Sequence, residues 1–222
     1  MRKITPVPIL QFVTIAGIEI ATAIAVTRYA VWPWVHEDFR GVVAIVSVIL
    51  LFYVLSLGVF RLIQHLMPVP AGEIPCGSQA EKRVFLYLLH YLMVFNPLIF
   101  SRTMPVPMMR LLLGALGAKI GNNSYSSGIV MDAQFVEMGH DSIIGNSAML
   151  IPHVIEGEKM AFHPIRIGNR VTIGARAIIM ADVEIGDNAT VAIQAVVTKG
   201  TRIPAGEVWG GTPARCLKRT TN

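Results

Sequence analysis

Charge is what this chain has least of. Of its 222 residues 15% are Asp, Glu, Lys or Arg, while 53% are hydrophobic, and mean hydropathy is +0.56. An ordinary soluble enzyme, in which about a quarter of residues are charged, is excluded by that balance. Cysteine is almost absent: Cys76 and Cys216 make neither a disulfide framework nor a metal-site spacing. A G-x-S-x-G nucleophile elbow is missing too, which sets aside Ser-His-Asp chemistry. The net charge of +5 is unevenly shared, with nine basic against five acidic residues in 1–118 and ten against nine in 119–222. A nucleic-acid binder would carry the excess on its soluble part. Here it flanks apolar segments, which fits positive-inside topology and attraction to anionic lipid.

The apolar excess lies in residues 1–118, so the chain divides by composition. Gly41–Phe60 runs twenty residues without a charge, long enough to cross a bilayer core of roughly 30 Å. Ile9–Val26 is a weaker span, holding Gln11 and Glu19. As a signal peptide it is too long and lacks a small-residue cleavage site before Trp32-Pro33-Trp34, a cluster that suits a membrane interface. Arg2 and Lys3 precede the first span and Arg61, Lys82 and Arg83 follow the second, which places the N-terminus and the region after Arg61 in the cytoplasm. Val84–Phe100 and Met104–Ala118 are apolar but interrupted. Tyr87, His90 and Tyr91 share one helical face with Arg83 a turn back, as in a helix lying in the interface plane. If one of these two segments alone spanned, the rest of the chain would lie outside the cell; the expectation is that neither does. Glu19 is either a functional intramembrane carboxylate or one neutralised or paired between helices.

The second half has a period of its own. Ile167, Ile173, Ile179, Ile185, Val191, Val197 and Ile203 recur at every sixth position. Small or β-branched residues (Val171, Ala177, Val183, Ala189, Ala195, Thr201) follow four places later. Six fits neither an amphipathic helix nor an alternating strand; it fits a prism of short parallel strands, one repeat to a wall. The phase extends back through Leu150, Ile144 and Met138 to Ile120, with Ser126 and Asp132 as less regular members. Between Leu150 and Ile167 the spacing is seventeen, so the phase slips. The polar segment from Pro152 to Pro164 reads as a loop expelled from the prism, carrying two of the six histidines. Loops held by a rigid scaffold are where chemistry tends to be placed.

These repeats resemble those of hexapeptide-repeat acyltransferases, whose fold is a left-handed parallel β-helix. The tail Val208-Trp209-Gly210-Gly211-Thr212-Pro213-Ala214-Arg215 is similar to that family's V-x-x-G-x-P-A-R closing signature, and Val196-Val197-Thr198-Lys199 to its V-V-T-K corner. The stretch from Ser101 to Lys218 also resembles the terminal region of ε-poly-lysine synthetase-type enzymes. The fold so implied is a left-handed parallel β-helix preceded by an α-helical transmembrane hairpin and amphipathic helices. Its parts would be the hairpin in 1–70, interfacial helices and linker in 71–118, the catalytic β-helix in 119–207 and a tail in 208–222.

The resemblance implies a homotrimer with acetyl-CoA bound between neighbouring prisms, no metal, and a loop histidine acting as general base on an acceptor hydroxyl or amine. His153 is that base by its place before Pro164-Ile165-Arg166-Ile167-Gly168, with His163 as runner-up and His140 a solvated turn residue. Glu156, three residues on, either orients the imidazole or is a plain surface carboxylate. By position, the backbone amide at Ala175 matches the oxyanion and cofactor contact and Ile193 the next such place. Thr198 and Lys199 match the corner that approaches pantetheine and phosphates, and Arg215 a basic residue near the phosphates. Val191-Ala192-Ile193-Gln194-Ala195 replaces the family's usual I-G-A-G-S, which puts bulk beside that groove. The activity implied is a membrane-anchored acyltransferase of the bacterial inner membrane, its β-helix cytoplasmic and its acceptor a lipid-linked sugar, glycan precursor or other amphiphile. Two rivals are a zinc-dependent, carbonic-anhydrase-like β-helix enzyme using His140, His153 and His163, and a non-catalytic trimeric scaffold of a membrane synthase.

Overall fold

A computed structural model describes residues 2–101 and 103–219; the last three residues of the expected 208–222 tail lie outside the described residues. The chain forms two compact units. One comprises Arg2–Val69 and Gly77–Asn96, the other Pro70–Cys76 and Pro97 onward.

The first unit is helical. Continuous helices run over Pro6–Trp34, Glu37–Leu66 and Gln79–Ser101, and all three are long and apolar enough to cross a membrane. The first exceeds the span expected from hydropathy because helical geometry continues through π and 3-10 turns at Thr27–Val31 and Trp32–Trp34. Ser78 starts the third helix by accepting a hydrogen bond from the Glu81 N–H. The face carrying Tyr87, His90 and Tyr91 does not look out at an interface. All three residues are buried, with Tyr87 and Tyr91 against Phe60 at 5.6 and 6.4 Å between ring centroids and His90 edge-on to Phe12 at 5.0 Å. Its amphipathicity serves helix packing. Glu19 is 3% exposed and accepts a hydrogen bond from Ser56 Oγ at 2.6 Å.

The second unit is a left-handed parallel β-helix with three faces. The first holds Lys119–Ile120, Val136–Met138, Ile165–Ile167, Glu184–Ile185 and Arg202–Ile203. The second holds Tyr125–Ser126, Ile143–Ile144, Thr172–Ile173, Thr190–Val191 and Glu207–Gly211, closed by antiparallel Ala214–Arg219. The third holds Ile129–Val130, Met149–Ile151, Ile178–Met180 and Val196–Val197. Partners in register, such as Ile167 with Ile185 and Ile185 with Ile203, are eighteen residues apart, so three hexads make one coil. The recurring aliphatic residues point inward: Ile167, Ile173, Ile179, Ile185, Val191, Val197 and Ile203 are all buried, as are Val171, Ala177, Val183, Ala189 and Ala195. Small residues at the fifth position are what a corner can hold inside. Each corner also turns through one residue of left-handed conformation, at Arg170, Arg176, Asp182, Asn188 and Gln194 and then at Gly200 and Gly206. The helix Val106–Ala115 caps the open end of the prism, its Leu113 lining a small cavity together with Ile120, Val130, Val136 and Ile144.

Two departures from the period shape the third edge, where the third face turns back to the first. Val130, not Asp132, lies in register with Leu150, while the other two faces keep their spacing of eighteen, so the third-face strand stands two residues early and the third edge after it is two residues longer. The extra length forms the 3-10 turn Ala133–Phe135. One coil later Met138 pairs with Ile167, eleven residues beyond the regular eighteen. What breaks the phase is therefore an inserted hairpin, not an irregular loop: His153–Glu156 pairs antiparallel with Lys159–Phe162, which Gly72–Glu73 extends as a third strand.

Candidate functional site

The base of the hairpin and the 3-10 turn meet in one polar pair. Asp132 stands in left-handed conformation, φ 47°, which turns its carboxylate into the edge where it is 2% exposed. His153 opens the hairpin, and its Nδ1–H donates to Asp132 Oδ2 at 2.5 Å. Phe162, directly across the hairpin, meets the imidazole edge-on at 6.4 Å and stacks on Phe135 at 5.1 Å. The ring is thus held by a carboxylate on one side and an aromatic wall on the other. With Nδ1 committed to Asp132, Nε2 is the nitrogen free to take a proton, the arrangement a general base needs. Burial pushes the imidazole pKa down, but the hydrogen bond and negative charge of Asp132 outweigh it, and the net shift is upward from 6.5.

Glu156 is not the orienting carboxylate. It lies at the far end of the hairpin, exposed, where both its oxygens accept from Lys199 Nζ, at 3.1 and 3.2 Å. The orienting group is Asp132, which sequence reading took as an irregular wall position. The signal was there: a buried-phase position occupied by a carboxylate, just where the period falters.

Ala175 and Ile193 sit one above the other at the second edge, between the second and third faces. Their coils are joined by Arg176 N–H to Asn146 C=O and Gln194 N–H to Ala175 C=O, both 3.0 Å. The N–H groups of Ala175 and Ile193 take no part in those bonds. Gly174 and Gly145 permit the close stacking: a Cβ on the first would lie 2.5 Å from Ile193 N, and on the second 2.7 Å from Ala175 N. The Ile193 side chain is 70% exposed, so the bulk that departs from the family's pattern projects outward from the edge. Thr198 and Lys199 lie at the third edge with the hairpin, and Arg215 is exposed on the terminal strand opposite Gly210.

The structure therefore gathers His153, Asp132, Lys199 and Glu156 at the third edge and Ala175 and Ile193 at the second. A single chain does not bring the two sets together. His163, at the third edge, lines a cavity of about 240 Å³ with Glu73, Lys159, Asp182 and Lys199. His140 stands at the first edge, its Nδ1 2.7 Å from Asp141 Oδ2. Among the described residues no three His, Cys, Asp or Glu side chains come close enough to share a metal ion.

Residues 164–199 match the family described as "Bacterial transferase hexapeptide (six repeats)". The chain is 35% identical over 83 residues to gamma carbonic anhydrase 1, mitochondrial, of Arabidopsis thaliana, covering 37% of this chain and 28% of that one. It is 30% identical over 105 residues to delta-poly-L-ornithine synthetase of Acinetobacter baumannii (strain AB307-0294), covering 46% and 8%. To the 2,3,4,5-tetrahydropyridine-2,6-dicarboxylate N-acetyltransferase of Staphylococcus aureus (strain JH9) it is 43% identical over 58 residues, covering 26% and 23%. The matched stretch thus spans well under half the length of each of these relatives. Residues 164–199 are thus similar to the hexapeptide repeats of bacterial transferases, and the coils they form are wound as a left-handed parallel β-helix.

Proposed function

We propose that the protein is a membrane-anchored acyltransferase. It moves an acetyl group from CoA to a hydroxyl or amine of a membrane-associated acceptor, such as a lipid-linked sugar or glycan precursor. The observation that carries this reading is the His153–Asp132 pair, set on a hairpin inserted into transferase hexapeptide repeats. The likeness to the staphylococcal N-acetyltransferase supports an acetyl group as the one transferred.

The chemistry follows from the residues. His153 Nε2 takes the acceptor proton as the acceptor oxygen or nitrogen attacks the thioester carbonyl carbon, and Asp132 stabilises the imidazolium that results. A corner amide, that of Ala175, holds the oxyanion. As the C–S bond breaks, the imidazolium returns its proton to the departing sulfur, leaving free CoA, acetylated acceptor and a neutral His153. Lys199 and Arg215 supply positive charge for the CoA phosphates, Thr198 and Ile193 the groove beside it. Because Ala175 and His153 occupy different edges, this reading requires the second edge of one copy beside the third edge of another, as in a closed trimer.

The helical unit would anchor the enzyme in a bacterial inner membrane, with the β-helix cytoplasmic. Gly72–Glu73 pairs with the hairpin, and the chain from Pro97 onward, including the end of the third helix, belongs with Pro70–Cys76 to the repeat unit. A helix that starts and finishes at one soluble body does not carry the chain across, which favours two crossings. Incubating membranes that contain the protein with acetyl-labelled acetyl-CoA tests the function: label is expected in the lipid-extractable fraction, and label confined to water-soluble products would refute a membrane acceptor.

The likeness to gamma carbonic anhydrase supports a second reading, zinc-assisted hydration of carbon dioxide. Within the chain His153 and His163 share an edge and His140 stands at another, so this donor set too would have to be completed between copies. Stoichiometric zinc in purified protein would favour it over acyl transfer.

A further inference from the structure

The corners of the second edge stack in a fixed order. Ser147 N–H donates to Ser127 C=O at 3.3 Å, while Arg176 N–H donates to Asn146 C=O and Gln194 N–H to Ala175 C=O, both at 3.0 Å. Ser127 thus lies nearest the capped end of the prism, Asn146 one coil on, Ala175 the next and Ile193 beyond it. Coils are spaced like paired strands, so Ala175 stands about 10 Å from Ser127 along the edge. The groups assigned to the CoA phosphates lie past Ala175 in the other direction. Lys199 follows the wall strand Val196–Val197 in the coil of Ile193, and Arg215 is on the terminal strand. A thioester with its phosphates there and its carbonyl at Ala175 has one direction left for its acyl carbons, towards Asn146 and Ser127.

That direction ends in a cavity of about 180 Å³. Asn146, Ser127 and Gly128 line it on the edge; Met104, Val106 and Met109, with two isoleucines, line it where the chain enters the capping helix. Polar groups on the edge side are already engaged. Gly128 N–H donates to Ser126 Oγ at 3.2 Å, Ser127 N–H to Ile144 C=O at 2.9 Å, and Asn146 Oδ1 accepts from Ser147 Oγ at 3.1 Å. The facing wall is aliphatic, and its two methionines adapt to the shape of an occupant.

We infer that this cavity receives the donor's acyl chain, so that the protein takes straight-chain acyl-CoA thioesters of up to about six carbons as well as acetyl-CoA. The size follows from the volume, since an aliphatic cavity of about 150 Å³ holds benzene. This rests on the acyltransferase reading and widens its donor. An acetyl methyl group stops beside Ala175, whereas a hexanoyl chain with its carbonyl at the same amide extends past Asn146 into the cavity. The transfer step is unchanged: the acyl carbon exchanges its bond to sulfur for one to the acceptor, and His153 carries the proton from acceptor to thiolate.

The test measures thioester cleavage by the full-length protein in nanodiscs, with extracted membrane lipids as acceptor and acetyl-, butyryl-, hexanoyl- or decanoyl-CoA as donor. Butyryl- and hexanoyl-CoA are expected to match or exceed acetyl-CoA in kcat/KM, with decanoyl-CoA about tenfold or more below hexanoyl-CoA. Val106→Trp and Met104→Trp, at half-buried lining positions, should each lower the hexanoyl-to-acetyl ratio by about tenfold or more. Both rates come from one preparation, so a loss of folded protein cancels from the ratio. Wild-type turnover of acetyl-CoA alone, or a ratio that both filled variants leave unchanged, would overturn the inference and keep the acyltransferase. Absence of turnover with all four thioesters would overturn both.

Discussion

The Asp132–His153 bond determines how the imidazole titrates, and with it the pH range in which the protein can act. The pKa of His153 is raised above 6.5 because Asp132 outweighs burial, so the base is protonated and idle below that raised value. Acetyl transfer should fall along an acid limb centred above pH 6.5. Asp132→Asn keeps the burial and loses the charge, so it should move that limb to lower pH and reduce the plateau rate by roughly ten- to a hundredfold through a weaker, misoriented base. A pH–rate profile of both proteins measures it; an unmoved limb would mean that another group titrates. Stability gives the same pair a second readout. A raised folded-state pKa stabilises most below the unfolded value and loses that contribution as pH rises through the folded pKa. The melting-temperature gap between wild type and Asp132→Asn should therefore be wider at pH 6 than at pH 9. His153 was legible in the sequence because it stands in the segment that breaks the period. Asp132 was not, because its place depends on a third-face strand that stands two residues early and lengthens the third edge, and it lies twenty-one residues upstream of His153.

At the scale of elements, the prism depends on what its corners tolerate. Gly174→Ala would drive a Cβ into the Ile193 backbone, a clash no rotamer relieves. It should cost about 1–3 kcal/mol, the range for overpacking, and displace the Ala175 and Ile193 amides, so that acetyl-CoA affinity falls along with the melting temperature. At the same edge Gln194 has φ 58°, and Gln194→Gly should be neutral or raise stability by up to about 1 kcal/mol because glycine adopts that conformation without steric penalty. The hexad walls were readable since burial repeats at every sixth residue. The hairpin was harder, as its strands pair with each other and with Gly72–Glu73, a partner some ninety residues away in sequence. The third helix misled for another reason. An amphipathic face looks the same in sequence whether it covers a bilayer surface or, as Tyr87 and Tyr91 do, an aromatic side chain such as Phe60.

For the whole molecule, the division of the candidate site between two edges predicts that activity belongs to an assembly. Mixing His153→Ala chains with Gly174→Ala chains, each inactive or impaired alone, should restore about a quarter of wild-type activity in randomly mixed trimers, because a quarter of the junctions pair two intact edges. The two exposed cysteines test the topology without any mutation. Cys76 and Cys216 both belong to the repeat unit, so an impermeant maleimide should reach neither in intact cells and both after permeabilisation; reaction of one alone would mean that the third helix crosses. The central claim, that His153 is the base of an acyl transfer, is tested most directly by the rate of acetyl-CoA thioester cleavage in the presence of extracted membrane lipids, wild type against His153→Ala. The account predicts a loss of about 10²- to 10⁴-fold in turnover with acetyl-CoA affinity retained, and undiminished turnover in His153→Ala would contradict it.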